Sequence, residues 1–134
     1  MQKIKSVFTQ NREIMLYSII GITGVFIDLL TFYFLYNNLG FNQYLANFIS
    51  ISLGITNNFC WNRSINFRIK NKVSKRFLSF YLVGTFGLIL SNLIIFILEY
   101  AFAIQGTPAK VLSIPVVTLV QFYLNKNISF SKSL

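Results

Sequence analysis

The sequence has no histidine, a single cysteine, three acidic residues and two prolines among its 134 residues. The absence of histidine excludes a histidine proton relay and most zinc sites. Cys60 cannot form a disulfide within the chain, because it has no partner cysteine. The sequence also lacks a nucleophile paired with a base, a glycine-rich phosphate loop and a metal-ligand cluster. It therefore predicts a protein that is not an enzyme and needs no cofactor or metal.

Charge is scarce and apolar residues are abundant. Charged residues make up 11% of the chain and hydrophobic residues 54%, whereas soluble domains carry about 25% charged residues. A chain this short buries only about two-thirds of its surface on folding, so it cannot hide so many apolar side chains from water. The composition indicates a protein dissolved in lipid. The net charge of +9 would suit nucleic acid, but the predicted spans exclude a DNA-binding protein.

Four apolar runs are long enough to cross a bilayer, which takes about 20 residues. Backbone polar groups in lipid must be paired within their own segment, so each run is expected to be a helix. The predicted fold is an all-α membrane protein with four transmembrane helices in one domain, residues 1–134. The predicted spans are Ile14–Tyr36, Phe41–Trp61, Phe77–Ala103 and Pro108–Leu124.

The cations predict the orientation of these spans. Eleven of the 12 cations precede the first span, lie between the second and third, or follow the fourth. The positive-inside rule therefore predicts that both termini are cytoplasmic. The cations of the central loop, Arg68 to Arg76, either only set this topology or also contact anionic membrane lipid.

The chain contains a tandem repeat. With a shift of 63 residues and no gap, 11 of 51 positions are identical between Tyr17–Phe67 and Phe80–Phe130. Each repeat is predicted to be a two-helix hairpin, the first over about 14–67 and the second over about 77–130. Because an even number of spans preserves orientation, the two hairpins are expected to be related by a pseudo-twofold axis along the membrane normal.

Both repeats end with an amide followed by a cation. The stretch NNFCWNRSINF ends the first repeat and VQFYLNKNISF the second. The shared signature is Asn62–Arg63 in one and Asn125–Lys126 in the other, preceded one turn earlier by Asn58 and Gln121. These polar groups either pack at the membrane interface or contact a ligand.

Asp28 is the only acid well inside a span. It lies roughly 21 Å along the helix from Ile14, at ~1.5 Å per residue. A carboxylate at that depth costs on the order of 3 kcal/mol, so it is expected to face protein and not lipid. Two interpretations remain open. Asp28 forms a structural pair with Lys110 across the predicted twofold interface, or it lines a polar pocket for a ligand headgroup.

These residues resemble the GtrA family of small four-span membrane proteins. The resemblance covers about Tyr17 to Phe130. It includes the following residues of both repeats: Gly21, Asp28, Asn58–Phe59, Asn62–Arg63, Phe67, Gly84, Ala109–Lys110, Phe122, Asn125–Lys126 and Phe130. Gln121 departs from the pattern, which has Asn there, but it keeps the amide.

The resemblance implies a role in the bacterial cytoplasmic membrane, where polyprenyl-phosphate-linked sugars are flipped for the glycosylation of cell-surface polysaccharide or teichoic acid. Partner glycosyltransferases would make the lipid-linked sugar inside and use it outside. Arg63 and Lys126 would bind the phosphodiester, since guanidinium and ammonium groups bind phosphate oxygens. The amides and Asp28 would bind the sugar, and Lys110 would receive the phosphate at the outer side. The lipid tail would remain in membrane lipid.

Two rival interpretations stay open. In the first, the chain is a non-transporting subunit that anchors or activates a polyprenyl-phosphate glycosyltransferase. In the second, it is a small multidrug efflux protein, which also has four spans and one acid in the first. The strong charge bias counts against the second rival, because many efflux proteins of that kind insert in both orientations. Four short helices enclose little space for a sugar, which favours a homodimer or larger assembly.

Overall fold

A computed structural model describes residues 1–104 and 107–133; the side chains at positions 43, 44, 47, 107, 110 and 111 lie outside this description. The chain is 86% helical, and the described residues contain no strand. The helices are α1 (Gln2–Tyr33), α2 (Gln43–Trp61), α3 (Val73–Phe102) and α4 (Thr107–Leu124). Three of them continue into a π-helical turn: π1 (Phe34–Asn38), π2 (Asn62–Asn66) and π3 (Asn125–Ser129).

The helices follow the predicted apolar runs, except that α1 begins twelve residues before Ile14, at Gln2. The polar segment from Gln2 to Glu13 contains no glycine or proline and is rich in Lys, Gln and Arg, which are good helix formers. It therefore continues the helix beyond the apolar run. Within the described residues, Gln2–Asn38 and Val73–Phe102 are long and apolar enough to span a membrane. The four-span topology and the cytoplasmic termini stay predictions.

The chain forms two compact units. Hairpin one is Met1–Asn71, in which α1 packs on α2, and hairpin two is Lys72–Leu134, in which α3 packs on α4. The residues that each hairpin buries are spaced by the 63 residues of the sequence repeat. The buried positions shared by the two hairpins are Tyr17/Phe80, Ile20/Val83, Gly24/Gly87, Ala46/Ala109, Ser50/Ser113, Phe59/Phe122, Asn62/Asn125 and Asn66/Ser129.

Small residues bring the two helices of hairpin one close together. Ala46, Ser50 and Gly54 are buried and recur every four residues on α2, so they share one face of that helix. A Cβ atom on Gly54 would lie 2.9 Å from the carbonyl oxygen of Gly24 on α1. Such close backbone approach through small residues is typical of helix pairs in membranes.

The second helix of each hairpin ends in the same way. The backbone N–H of Phe67 donates to the carbonyl of Asn62, and that of Phe130 to the carbonyl of Asn125, each at 2.8 Å. Both bonds span five residues, which widens the last turn. Isolated π-helical turns are rare and often occur at functional sites. Each of these two begins at the asparagine of the Asn–cation signature.

Large apolar side chains cover the outer surface of α1 and α3. Phe26, Leu30, Phe96 and Tyr100 are all more than half exposed, and many other large apolar residues share this exposure. Soluble proteins of this size rarely expose so much contiguous apolar surface to water. The exposure agrees with lipid as the solvent.

Candidate functional site

A seam of polar groups runs between the two helices of hairpin one. Asn58 on α2 packs directly over Gly24 on α1, and a Cβ atom at position 24 would overlap the Asn58 amide. The side-chain oxygen of Asn58 is buried and has no hydrogen-bond partner. A buried acceptor without a partner costs about 1–3 kcal/mol, so Asn58 is not explained by packing alone.

Asp28 lies one turn further along the same seam. Its Cβ atom is 3.5 Å from the position that a Cβ on Gly54 would occupy, and Gly54 is one turn from Asn58 on α2. Asp28 is neither fully buried nor fully exposed. The Cβ atom of Asp28 therefore lies beside α2 of its own hairpin. That its carboxylate faces protein or contacts a ligand stays a prediction.

The asparagine of the signature, Asn62, is 1% exposed, and its side chain forms hydrogen bonds within the protein. Its Nδ2 donates to the carbonyl of Asn58 at 2.9 Å. Its Oδ1 accepts from Nδ2 of Asn66 at 3.0 Å, and the same Nδ2 donates to the backbone carbonyl of Glu13 at 3.0 Å. Asn62 and Asn66 thus fasten the π2 turn to α1. Both amides therefore have a structural role within the hairpin.

Arg63 lies at the edge of a groove beside the end of α2. The groove has a volume of about 390 Å³ and is lined by Arg63, Ser64, Arg68, Ile69 and Lys70. Nη2 of Arg63 donates to the carbonyl of Lys70 at 3.2 Å, which closes the loop on itself. The lining contains three cations and no acid, so the groove attracts anions.

Hairpin two repeats the seam with different side chains. Gln121 packs over Gly87 as Asn58 packs over Gly24, and a Cβ at position 87 would lie 2.6 Å from the Gln121 side-chain carbonyl carbon. Asn125 is 2% exposed, and its Oδ1 accepts from the hydroxyl of Ser129 at 2.8 Å.

The cation of hairpin two has different surroundings from Arg63. Nζ of Lys126 lies 5.7 Å from the centre of the Phe122 ring, a cation–π distance. The Lys110 side chain lies outside the described residues, so its predicted pairing with Asp28 and its outer phosphate contact stay predictions. Arg63 and Lys126 belong to different hairpins, and their predicted joint contact with one phosphate stays a prediction too.

Sequence reasoning missed Arg76. It placed this residue in a basic loop, whereas the structure places it in the first turn of α3, 1% exposed. Its Nη1 donates to the carbonyls of Ser129 at 3.0 Å and Ser131 at 2.8 Å. Arg76 therefore holds the C-terminal segment of hairpin two against α3. The repeat gave no signal for this role, because the equivalent residue, Glu13, accepts a hydrogen bond from Asn66 through its backbone carbonyl, which a sequence does not reveal.

Each hairpin packs an amide over a glycine and ends in a π turn with an Asn–cation pair. These shared features point to one duplicated membrane domain. The family model for the GtrA/DPMS transmembrane domain matches residues 16–130. The chain belongs to this family. A comparison with curated proteins finds no match for the chain.

Membership in the GtrA/DPMS family confirms the resemblance given by the sequence. The match covers both hairpins, from Leu16 in α1 to Phe130, the residue after π3. A domain of this family is associated with polyprenyl-phosphate sugars, with polysaccharide synthesis and with the membrane. The seam of hairpin one contains amide groups, and its groove is lined by three cations.

Proposed function

We propose that this GtrA/DPMS domain translocates a polyprenyl-phosphate-linked sugar across the bacterial cytoplasmic membrane, for the glycosylation of a cell-surface polysaccharide or teichoic acid. In this proposal the protein has four spans with both termini cytoplasmic and carries out no covalent chemistry. One glycosyltransferase delivers the lipid-linked sugar on the inner side, and another uses it on the outer side. A homodimer would enlarge the space available to the headgroup.

The observation that carries the proposal is the unsatisfied amide oxygen of Asn58 inside the helix pair, one turn from Asp28. A sugar is rich in hydroxyl donors, and these would satisfy both an amide oxygen and a carboxylate. Buried polar groups within a membrane span are expensive and are usually functional. The cations at the end of α2 would receive the phosphate while the seam receives the sugar.

The test uses purified protein in liposomes that contain a polyprenyl-phosphate sugar with a labelled headgroup. Translocation is followed as the fraction of label accessible to a membrane-impermeant reagent. Asp28→Asn and Asn58→Ala should each slow translocation at least about tenfold, a loss of about 1.5 kcal/mol. The first replaces a charge-assisted sugar contact by a weaker neutral one, and the second removes an amide contact. Glu99→Gln and Asn92→Ala make the same chemical changes at exposed positions of α3 and should translocate normally.

Normal rates in both seam variants would overturn the proposal. If the wild-type protein moves no lipid but increases the activity of an added polyprenyl-phosphate glycosyltransferase, the non-transporting subunit is the correct function. The basic groove favours this alternative as well, since three cations at the cytoplasmic end of a hairpin would also suit an acidic surface of an enzyme.

A further inference from the structure

The groove at the end of hairpin one has features that topology alone does not require. Cations that only set membrane orientation need no fixed position. Here the Arg63 guanidinium is tied to the carbonyl of Lys70, and its Nε is buried without a partner. A guanidinium has five N–H donors. One of them is used by Lys70, so Arg63 is held in place with donors to spare.

Arg68 is held in a conformation that costs energy. Its φ is 54°, in the left-handed region, where glycine and asparagine are favoured. Any other side chain costs roughly 1–2 kcal/mol there. Arg68 lies two residues after the π2 turn. Backbone hydrogen bonds flank it, from the N–H of Phe67 to the carbonyl of Asn62 and from the N–H of Ile69 to the carbonyl of Arg63, the latter at 3.0 Å. Two other non-glycine residues among those described share this backbone conformation, so the strain alone assigns no role to Arg68. Its side chain is assigned to the groove because it lines it.

The two hairpins differ at this place. The positions equivalent to Arg68 and Lys70 in hairpin two are Ser131 and Ser133, whose hydroxyls bond to each other at 2.7 Å. Only hairpin one therefore combines an anchored guanidinium with a second guanidinium and an ammonium. The groove of hairpin one has a volume of about 390 Å³, which lies within the roughly 300–1,000 Å³ of small-molecule sites.

We propose that Arg63, Arg68 and Lys70 form a phosphate-binding site, with the two arginines as bidentate ligands and Lys70 as a point charge. Ser64 adds a hydroxyl, and Ile69 provides an apolar wall. The site takes a phosphate group, carried either by a lipid headgroup or by a free phosphate. It deepens the proposed function, because it would be the place where the polyprenyl phosphate is first held. Hairpin one, and not a symmetric pair of cations, would then load the substrate.

The test measures binding to the full-length protein in nanodiscs of neutral phosphatidylcholine, by native mass spectrometry for lipids and calorimetry for soluble anions. The three probes are polyprenyl phosphate, phosphatidylglycerol and inorganic pyrophosphate. Arg63→Gln, Arg68→Gln and Lys70→Gln should each weaken the binding of polyprenyl phosphate about tenfold or more. Lys5→Gln removes the same charge from an exposed position outside the groove and should have little effect.

Arg68→Gly separates binding from folding. Glycine accepts the left-handed backbone, so this variant should be at least as stable as the wild type while it binds phosphate as weakly as Arg68→Gln. A purely structural Arg68 would give unchanged binding in Arg68→Gly, and this result would overturn the proposal. Equal losses in Lys5→Gln and in the groove variants would also overturn it, since they would indicate unspecific charge attraction.

The probes identify the source of the phosphate. Preference for polyprenyl phosphate or phosphatidylglycerol over pyrophosphate assigns the groove to a lipid headgroup, and the reverse preference assigns it to a soluble phosphate. Groove variants that lose binding together with a wild-type protein that fails to translocate would retain the site and reject the transport function. Normal binding in all three groove variants, together with translocation that depends on Asp28, would reject the site and retain the function.

Discussion

The two hairpins share one scaffold but use it differently. Both pack an amide over a glycine, and both end in a π turn at a buried asparagine. Within the described residues, the buried side-chain atoms Asn58 Oδ1, Arg63 Nε and Asn66 Oδ1 lack partners, and all three belong to hairpin one. The described part of hairpin two contains no such atom. Duplication thus preserved the packing, while the polar groups of the two copies diverged.

The position of Asp28 shows this divergence most clearly. Its equivalent in hairpin two is Ser91, whose hydroxyl bonds to that of Ser113 across the α3–α4 contact at 3.0 Å. A serine pair completes its hydrogen bonds inside the protein and stabilises a helix contact in lipid by about 0.6 kcal/mol. A carboxylate at the same place adds charge that a ligand can use. Hairpin one is therefore the better candidate for substrate contact, and hairpin two for structural support.

The largest loss of stability is expected for Arg76, the side chain that holds the C-terminal segment of hairpin two. Arg76→Ala removes two charge-assisted bonds to the carbonyls of Ser129 and Ser131, and we expect the free energy of unfolding to fall by about 3 kcal/mol. The C-terminal segment should also become sensitive to trypsin at Lys126. Thermal unfolding in detergent and limited proteolysis measure the two effects.

Lys75→Ala changes the neighbouring exposed cation and serves as the control. In hairpin one the same fastening is made by the neutral amide of Asn66, so Asn66→Ala should cost only about 1 kcal/mol. Equal losses in Arg76→Ala and Asn66→Ala would show that the two hairpins are fastened with equal strength, which would contradict the expected difference.

A second comparison concerns the glycines of the seam. Gly24→Ala drives a Cβ into the amide of Asn58, and Gly87→Ala does the same to Gln121. Glutamine has one more rotatable bond and can move aside more easily, so we expect a loss of about 2 kcal/mol for Gly24→Ala and about half of that for Gly87→Ala. Urea or thermal unfolding of the purified variants would measure both.

Gly21 provides the matched control, because a Cβ there meets nothing within 4 Å. Gly21→Ala should be neutral or stabilise α1 by up to about 1 kcal/mol, the difference in helix propensity. If Gly24→Ala proved as harmless as Gly21→Ala, the Asn58 amide would have room to move, and tight packing of the seam would be disproved.

The helices, the repeat and the family were readable from the sequence because they depend on composition and spacing. Apolar runs predict the helix boundaries to within a few residues, except at α1, where a polar helical segment that begins at Gln2 precedes the apolar run. The 63-residue shift also aligned the buried positions, since both copies bury the same face.

The finer chemistry of the site was not readable. Arg76 looked like one more loop cation, because its partners are carbonyls 53 and 55 residues away and carbonyls leave no mark in a sequence. Arg68 gave no turn signal, since a left-handed position normally shows itself through glycine or asparagine. Asn62 and Asn125 were expected to contact a ligand, but their side-chain amides form hydrogen bonds at the π turns. Local patterns predict helices, whereas long-range hydrogen bonds decide which polar residues remain available.

The smallest expected change in stability tests the divergence of the two hairpins directly. Asp28→Ser gives hairpin one the side chain of hairpin two, and removing the carboxylate from the seam should raise the free energy of unfolding by about 1 kcal/mol. Translocation should nevertheless fall, because the proposed sugar contact is lost. Ser91→Ala changes the equivalent position in hairpin two. It should lower the free energy of unfolding by up to about 1 kcal/mol and leave translocation intact. Such a gain of stability with a loss of activity is expected of functional residues, which are often retained at the expense of stability. If Asp28→Ser instead destabilised the protein as Ser91→Ala does, Asp28 would be a structural residue and the hairpins would not have diverged in role.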